Sequence, residues 1–477
     1  MSPFDKARYE RLLEGLEATE ILFSTLNDER RIDAQYFRKK YLEEDASRRH
    51  HKCTSLGEVA FITDGPHGYH IVDDQSGIAM LTAKCAKDWF ADRAQAETIH
   101  IETHRSNLRS SLEANDLILS TRGTVGACAL VEAEALPANI DQDVARISIA
   151  KNGSVTPCYV VVYLNSRFGQ DWIERNATGM VQQGLSLAKV RDLPIPVLSE
   201  KFQTIIDNLV QAASAARARS RSALLESENI LLHALGLDTW TPPDALTYVR
   251  SSRDAFAAGR LDAQFFAPRV EQLLACLARD GLRLSDVAPA RHERFEPTGS
   301  GNFDYIEIGS LGADGTAAAE RVAMAEAPSR ATQHVRSGDV ITSTVRPIRR
   351  LSALITPDQD GAVCSSGFVV LQPQGISGEV LLTYLRLPLV CELMDLHTSA
   401  TMYPAISESD LLALPIPAIP SGTQAQVQQA VRQSAQARQR ATRLLDAAKR
   451  AVEIAIEDSE AAALAYLAAA NPSETAA

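Results

Sequence analysis

Two sets of side chains in this sequence could read hydrogen-bond patterns. Arg122-Gly123-Thr124 and Gln182-Gln183 lie in its first half, and Arg346, Arg349, Arg350, Thr401 and Tyr403 in its second. A guanidinium presents a rigid fork of donors, and a glutamine amide presents a donor beside an acceptor. Arginine therefore matches the O6/N7 edge of guanine and glutamine the N6/N7 edge of adenine. Threonine hydroxyls and amides beside glycine suit phosphate oxygens. The turn Asp64-Gly65-Pro66-His67-Gly68 and Lys84 join the first set. A structural role in the turn is an equal reading for His67. Asp116 and Asp339 are assigned to the turns that lead into strands, not to binding.

The chemistry so outlined is recognition. No NPPY or DPPY amino-methyltransferase signature occurs, and NPSE (471–474) lies in a polar tail. There is also no Gly-rich loop after a strand for S-adenosylmethionine, no GxxxxGK[ST] and no HExxH. The seven cysteines (Cys53, Cys85, Cys128, Cys158, Cys276, Cys364, Cys391) contain no CxxC pair. Such spacing suits reduced thiols and a cytoplasmic location and gives no zinc site or disulfide framework. No stretch is long and apolar enough to span a bilayer. MSPFDKARYERLLEGLEATE lacks the apolar core of a signal peptide.

The net charge of −12 runs against phosphate binding, which rests on Lys and Arg. Its distribution matters more than its sum. Residues 329–354 hold five arginines (Arg330, Arg336, Arg346, Arg349, Arg350) against the single acid Asp339, and acids gather around Glu226–Glu228 and Glu453–Glu460.

The elements that position these residues occur twice. RIDAQYF (31–37) recurs as RLDAQFF (260–266), and LGEVA (56–60) as LSDVA (284–288). NDLILSTRGTVG (115–126) is answered by GDVITSTVRPIR (338–349), sharing Asp-x-Ile-x-Ser-Thr. NIDQDVARISI (139–149) corresponds to VCSSGFVVLQP (363–373), and VRDLPIPV (190–197) to LLALPIPA (411–418). Five matches in one order, at an offset of roughly 225 residues, define an internal duplication.

Short β-branched runs between Gly, Asp, Asn and Pro turns predict a mixed, largely β domain in each copy. YVVVYLNSRFGQDWIERNA and VLLTYLRLPLVCELMDLH each predict one helix near the domain's end. Pro194, Pro196, Pro415 and Pro417 stop the chain before the next element. Residues 199–232 then place Phe202, Ile205, Ile206, Leu209, Val210, Ala213, Ala216, Leu224 and Leu225 along one side of a helix. Residues 421–457 do the same with Val427, Val431, Leu444, Leu445, Val452 and Ile456. Both carry Ala-Arg-x-Arg, at Arg217/Arg219 and Arg438/Arg440. Ala-rich seams allow close packing, so the two helices are expected to pair antiparallel. A helix of that length spans about 50 Å.

With these parts the chain resembles the specificity (S) subunit of type I restriction-modification systems. The resemblance is carried by ITDGPHG (62–68), DLILSTRGTVG (116–126), NIDQDVARI (139–147), QQGLSLAKVRDLPIPV (182–197), DVITSTVRPIRR (339–350), SSGFVVLQP (365–373) and YPAISESDLLALPIP (403–417). It implies an α+β fold: two mixed β-rich target-recognition domains separated by a pair of long antiparallel coiled-coil helices, with a pseudo-two-fold internal repeat. The corresponding division is an N-terminal segment (1–50), recognition domain 1 (51–198), helix 1 (199–236), a linker echoing the N-terminal segment (237–280), recognition domain 2 (281–420), helix 2 (421–460) and an Ala-rich tail (461–477). The echo suggests a circular arrangement in which both chain ends contribute to one edge.

The resemblance also implies a non-catalytic subunit with no cofactor of its own, bound to double-stranded DNA and to two methyltransferase subunits that bring S-adenosylmethionine. A restriction/translocase subunit completes such systems. The expected DNA contacts are Asp64, Gly65, His67, Lys84, Arg122, Thr124, Gln182, Gln183, Arg346, Arg349, Arg350, Thr401 and Tyr403. Arg217, Arg219, Arg438 and Arg440 are the expected partner contacts. Two alternatives stay open: a methylation-linked phage-defence system without a restriction subunit, and a scaffold that binds proteins instead of DNA.

Overall fold

The computed structural model describes residues 9, 11–14, 16–23, 26, 32–68, 71–73, 75–179, 183–243, 245–398 and 404–470. The chain divides into two compact units, one of residues 1–216 with 439–477 and one of residues 217–438. The described residues nearest both chain ends therefore belong to unit 1. Among the described residues no helix is long and apolar enough to cross a membrane.

Unit 1 contains β1 (Cys53–Ser55), β2 (Ala60–Asp64), β3 (Ala79–Leu81), β4 (Glu97–Thr98), β5 (Leu117–Ser120), β6 (Cys128–Leu130), β7 (Ala138–Ile140), β8 (Val144–Ile149) and β9 (Pro194–Pro196). They form one sheet in the order β2-β8-β5-β6, a second in the order β4-β3-β7, and a ribbon of β1 with β9. All four residues of β5 are buried, as a central strand covered on both faces requires. The ribbon uses the Leu-Pro-Ile-Pro segment as a clasp. Its prolines donate no hydrogen bond, but their carbonyls still accept. Tyr159 Oη donates to the Pro196 carbonyl at 2.6 Å and Tyr163 Oη to the Pro194 carbonyl at 2.7 Å.

Unit 2 repeats the plan with β10 (Asn302–Ile306), β11 (Glu320–Ala323), β12 (Ala331–His334), β13 (Val340–Ser343), β14 (Ser352–Leu354), β15 (Val363–Ser365) and β16 (Phe368–Leu371). The sheets are β11-β10-β15-β12 and β14-β13-β16. A bridge from Ala290 to Leu371 supplies the position that β2 holds in unit 1. Registers agree: Ile118 faces Arg146 on β8, and Ile341 faces Val370 on β16. The second Leu-Pro-Ile-Pro is clasped in the same way, by Tyr384 Oη on the Pro415 carbonyl.

Two expectations are corrected, and the Ala-rich tail gains a structure that the sequence did not assign. Each domain-closing helix is a pair: Pro157–Asn165 with Arg167–Asn176, and Gly378–Arg386 with Pro388–Leu396. Ser166, at φ −75° and ψ 165°, breaks the first. The chain then turns so tightly that a Cβ on Gly169 would lie 2.4 Å from the Tyr163 carbonyl oxygen. Pro388 breaks the second, because proline disfavours helical geometry at the residue before it. The Ala-rich tail contains a helix, Glu460–Ala470, with Ala463 and Leu467 buried in the core of unit 1. Finally, Leu225 is 58% exposed and not part of the packed seam.

The long helices run Glu200–Leu235 and Ser421–Glu457. In unit 1, Phe202, Ile206, Val210 and Ala213 share one apolar cluster with Leu444, Ala448, Val452 and Ile456. Ser199 starts the first helix, and its N–H donates to the Glu460 carboxylate at 2.7 Å. In unit 2, Ser220 and Ser434 hydroxyls meet at 2.9 Å, and Leu231 and Leu235 share a cluster with Val427 and Val431.

The two RxDAQxF segments fold alike. The Asp33 carboxylate accepts from the Tyr36 N–H at 2.9 Å, and Asp262 accepts from Phe265 at 3.0 Å. Each packs on the second short helix of its own unit. Lys40 reaches Asp171 at 2.9 Å, with Arg175 stacked 4.1 Å above Tyr36. Arg269 reaches Glu392 at 3.2 Å.

Candidate nucleic-acid interface

The shared Ser-Thr holds the exit of the central strand in both units. In unit 1 the Ser120 hydroxyl donates to the Arg122 carbonyl at 2.8 Å. Thr121 uses both its N–H (2.8 Å) and its hydroxyl (3.0 Å) on the Asp143 carbonyl, tying β5 to the start of β8. The Thr121 carbonyl accepts from Leu185 at 2.9 Å, and Arg122 bridges Gly184. The loop after the paired helices is thereby drawn beside the β5–β6 turn.

Neighbouring strands end at the same edge. Asp64 closes β2 opposite Ala145, and the Gly65 N–H donates to the Asp141 carbonyl at 3.1 Å. Leu81 pairs with Ile140, and Lys84 stands exposed just beyond. The four segments that carry Asp64, Gly65 and His67, then Lys84, then Arg122 and Thr124, then Gln183 are thus tied by backbone bonds to the 141–143 loop or to one another. Gln182 lies outside the described residues.

Their environments differ. Lys84, Thr124, Gln183 and His67 are exposed. His67 Nε2 lies 3.6 Å from the Asp64 carboxylate. Arg122 is half-exposed, with Nη1 3.3 Å from the Asp143 carboxylate. Gly65 is buried, and a Cβ there would fall 1.9 Å from the Ile140 carbonyl oxygen. Close packing therefore dictates that glycine.

Two acids at this edge, Asp141 and Asp143, were missed as site residues. Burial pushes the Asp141 carboxyl up to about 6, against the help of the Asp143 N–H that it accepts at 3.1 Å. The signal was present: the matching positions of the second copy are Ser365 and Gly367, so the pair is specific to one copy.

Unit 2 builds the same strap. The Ser343 hydroxyl donates to the Val345 carbonyl at 3.1 Å, and Thr344 donates by N–H (2.9 Å) and hydroxyl (3.0 Å) to the Gly367 carbonyl. The Ile406 N–H closes on the Thr344 carbonyl at 3.0 Å. Arg346 is half-buried and Arg349 exposed. Arg350 turns inward, donating to the Arg386 carbonyl at 2.7 Å and pairing with Glu228. It anchors the turn through these two contacts, with its side chain 32% exposed. Arg336 likewise pairs with Glu293. The arginine excess of 329–354 is therefore partly neutralised by acids remote in sequence. Thr401 and Tyr403 lie outside the described residues. Leu81 pairs with Ile140 as Ile306 pairs with Cys364, so at the place of Lys84 the second copy has Gly309.

Of the four helix arginines, Arg219 is exposed and the other three are half-buried. Arg438 reaches the Asp314 carboxylate at 3.0 Å. Burial raises the Asp314 carboxyl, but the Thr316 hydroxyl and Arg438 outweigh it and hold the group below its ordinary value. Among the described residues no cluster of three His, Cys, Asp or Glu side chains could hold a metal ion.

No family model and no curated protein matches this chain. Among solved structures, the S subunit of a type I restriction-modification system from M. genitalium is similar at 11% identity. That match covers 85% of this chain and 95% of that one, with a TM-score of 0.38. A structure described as showing complex assembly and conformational transition of the type I R-M system is similar at 17% identity, covering 86% and 97%, with a TM-score of 0.28. The HsdS subunit from Thermoanaerobacter tengcongensis is similar at 15% identity, covering 86% and 97%, with a TM-score of 0.27.

Proposed function

We propose that this chain is the specificity subunit of a DNA-modifying assembly, reading one half of a bipartite duplex target with each copy of its repeat. One observation carries the reading: the same Ser-Thr strap occurs twice, and the side chains shown beside it differ. Copy 1 presents Lys84, Arg122, Thr124 and Gln183, and copy 2 presents Arg346 and Arg349. A constant scaffold with divergent donors at its edge is what two different half-sites would require. On the expected helical separator of about 50 Å, the half-sites lie about 15 base pairs apart.

The chain itself supplies recognition and no bond-making step. Adenine methylation would come from two partner methyltransferase subunits that bring S-adenosylmethionine, and the long helices, common to both copies, are the proposed docking surface. Arg219 is the one exposed member of the arginine stripe. If Arg219→Glu leaves co-purification with the methyltransferase unchanged, the stripe is not the contact.

The deciding experiment is co-expression with a candidate partner methyltransferase, followed by mapping of modified adenines. A gapped motif with two unlike halves is expected; a single continuous palindrome would overturn the model. Duplex binding by the complex should also weaken steeply with salt, whereas a protein-binding scaffold would show no such slope.

A further inference from the structure

The turn between β13 and β14 is built differently from its counterpart between β5 and β6. Ser120 N–H donates to the Ala127 carbonyl, and Ser343 N–H to the Leu351 carbonyl, each at 2.8 Å, so the two turns align residue by residue at their ends. Copy 1 has Gly123 and Gly126 there, at φ 73° and 93°. Copy 2 has Arg346 and Arg350, at φ 50° and 60°. The backbone demands the left-handed region at both ends of the turn. Copy 1 meets it with glycine at no steric cost, whereas copy 2 meets it with side chains that resist it.

Specific contacts hold that strained turn. The Arg346 N–H donates to the Pro404 carbonyl at 2.9 Å. Arg350 is clamped by Glu228 and by the Arg386 carbonyl, and Arg386 returns a hydrogen bond from Nη1 to the Arg350 carbonyl at 2.8 Å. Arg386 is only 3% exposed and also donates to the Ala313 carbonyl. Pro347 is buried, and the turn packs on the helix Pro388–Leu396. Held up by this frame are two side chains that face water: Ile348, 51% exposed, and Arg349. A single exposed isoleucine means little. One fixed beside a cation, on a backbone whose strain is clamped at both ends, is the kind of site where strain marks function. Its branched side chain is stiff, so little freedom is lost when it meets a surface.

Resting on the DNA-reading function above, we propose that Ile348 is a base-contacting residue of the second half-site. It would place its methyl groups against the 5-methyl of a thymine in the major groove, while Arg349 beside it holds a phosphate. Apolar contact is the usual way that methyl is read, and a cation next to it suits the adjacent backbone. Arg350, on this view, is the positioning residue of the pair.

The test uses the full chain co-expressed with its methyltransferase and a pool of randomised duplexes. The selected site is then remade with each thymine in turn replaced by deoxyuridine, which removes only the methyl. Wild type should lose about fourfold in affinity at one thymine of one half-site. Ile348→Ser should abolish that difference and relax the position, leaving the other half-site and the salt slope unchanged. Arg349→Ala should instead lower the salt slope by about one. If Ile348→Ser selects the same motif with the same uracil sensitivity, or if no thymine in the motif responds, the assignment of Ile348 is wrong while DNA reading stands. If wild type selects no motif, DNA reading itself falls, and this inference with it.

Discussion

Asp116 and Arg146 form a buried ion pair at the start of the central strand of copy 1, Nε to Oδ2 at 2.7 Å. Copy 2 keeps the aspartate, Asp339, but draws its arginine from another strand position: Arg291 Nε lies 2.7 Å from it. Thr63 faces Arg146 across β2 and β8. In copy 2 the Arg291 N–H donates to the Val370 carbonyl at 2.8 Å, in the matching place. The arginine has thus crossed to the other member of a cross-strand pair, leaving a valine behind. The fold requires one cation over the buried aspartate, from either strand. Arg146→Val should leave Asp116 unpaired and cost about 3–5 kcal/mol. Adding Thr63→Arg should restore most of it in urea denaturation; a double variant no more stable than the single would refute the equivalence.

Gly65 and Gly123 both lie at the proposed reading edge of copy 1, for different reasons. Gly65→Ala drives a Cβ into the Ile140 carbonyl and should cost about 3 kcal/mol, the upper end for overpacking. Gly123→Ala meets open space and only the left-handed penalty, about 1 kcal/mol. Thermal melting of both variants should rank them in that order.

Asp141 should give the edge a pH dependence. Its folded pKa, about 6, lies above that of the unfolded chain, so the folded state holds the proton more tightly. The resulting stabilisation is complete below about pH 4 and is lost as pH rises through about 6. Asp141→Asn keeps an acceptor for the Asp143 N–H but removes the titration. It should match wild type near pH 4 and exceed it at pH 8; equal stabilities at both would argue against a buried carboxylate.

Arg350 and Arg349 are neighbours with opposite expected behaviour. Arg350→Ala breaks the pair with Glu228 and should lower the melting temperature of the chain by several degrees, corresponding to about 2 kcal/mol. Arg349→Ala, on an exposed side chain, should leave melting unchanged and act on DNA binding alone.

Target mapping separates the two copies. Arg122→Ala should relax bases in one half of the methylation motif and Arg349→Ala should act only on the other half. Relaxation of both halves by either variant would count against one half-site per copy.

The duplication was plain in the sequence because its marks are local. Leu-Pro-Ile-Pro cannot continue a helix, the Asp-x-Ile-x-Ser-Thr strand alternates and turns within a few residues, and the apolar spacing after 199 and 421 persists for many turns. Even the equivalence of 31–37 with 260–266 followed from seven letters. What could not be read is which polar groups meet across long intervals of chain. Arg350 is paired with Glu228, Arg336 with Glu293, and Arg438 with Asp314, pairings set by packing and invisible to composition. The breaks at Ser166 and Leu387 were hidden because apolar periodicity continues across them. The place of Asp141 and Asp143 could not be read from the sequence, because it depends on where β7 ends and β8 begins, and strand pairing sets that. Sequence alone determined a repeated scaffold with two unlike edges. Only the tertiary structure decided which side chains those edges leave in water, since burial and ion pairing are properties of the packed chain.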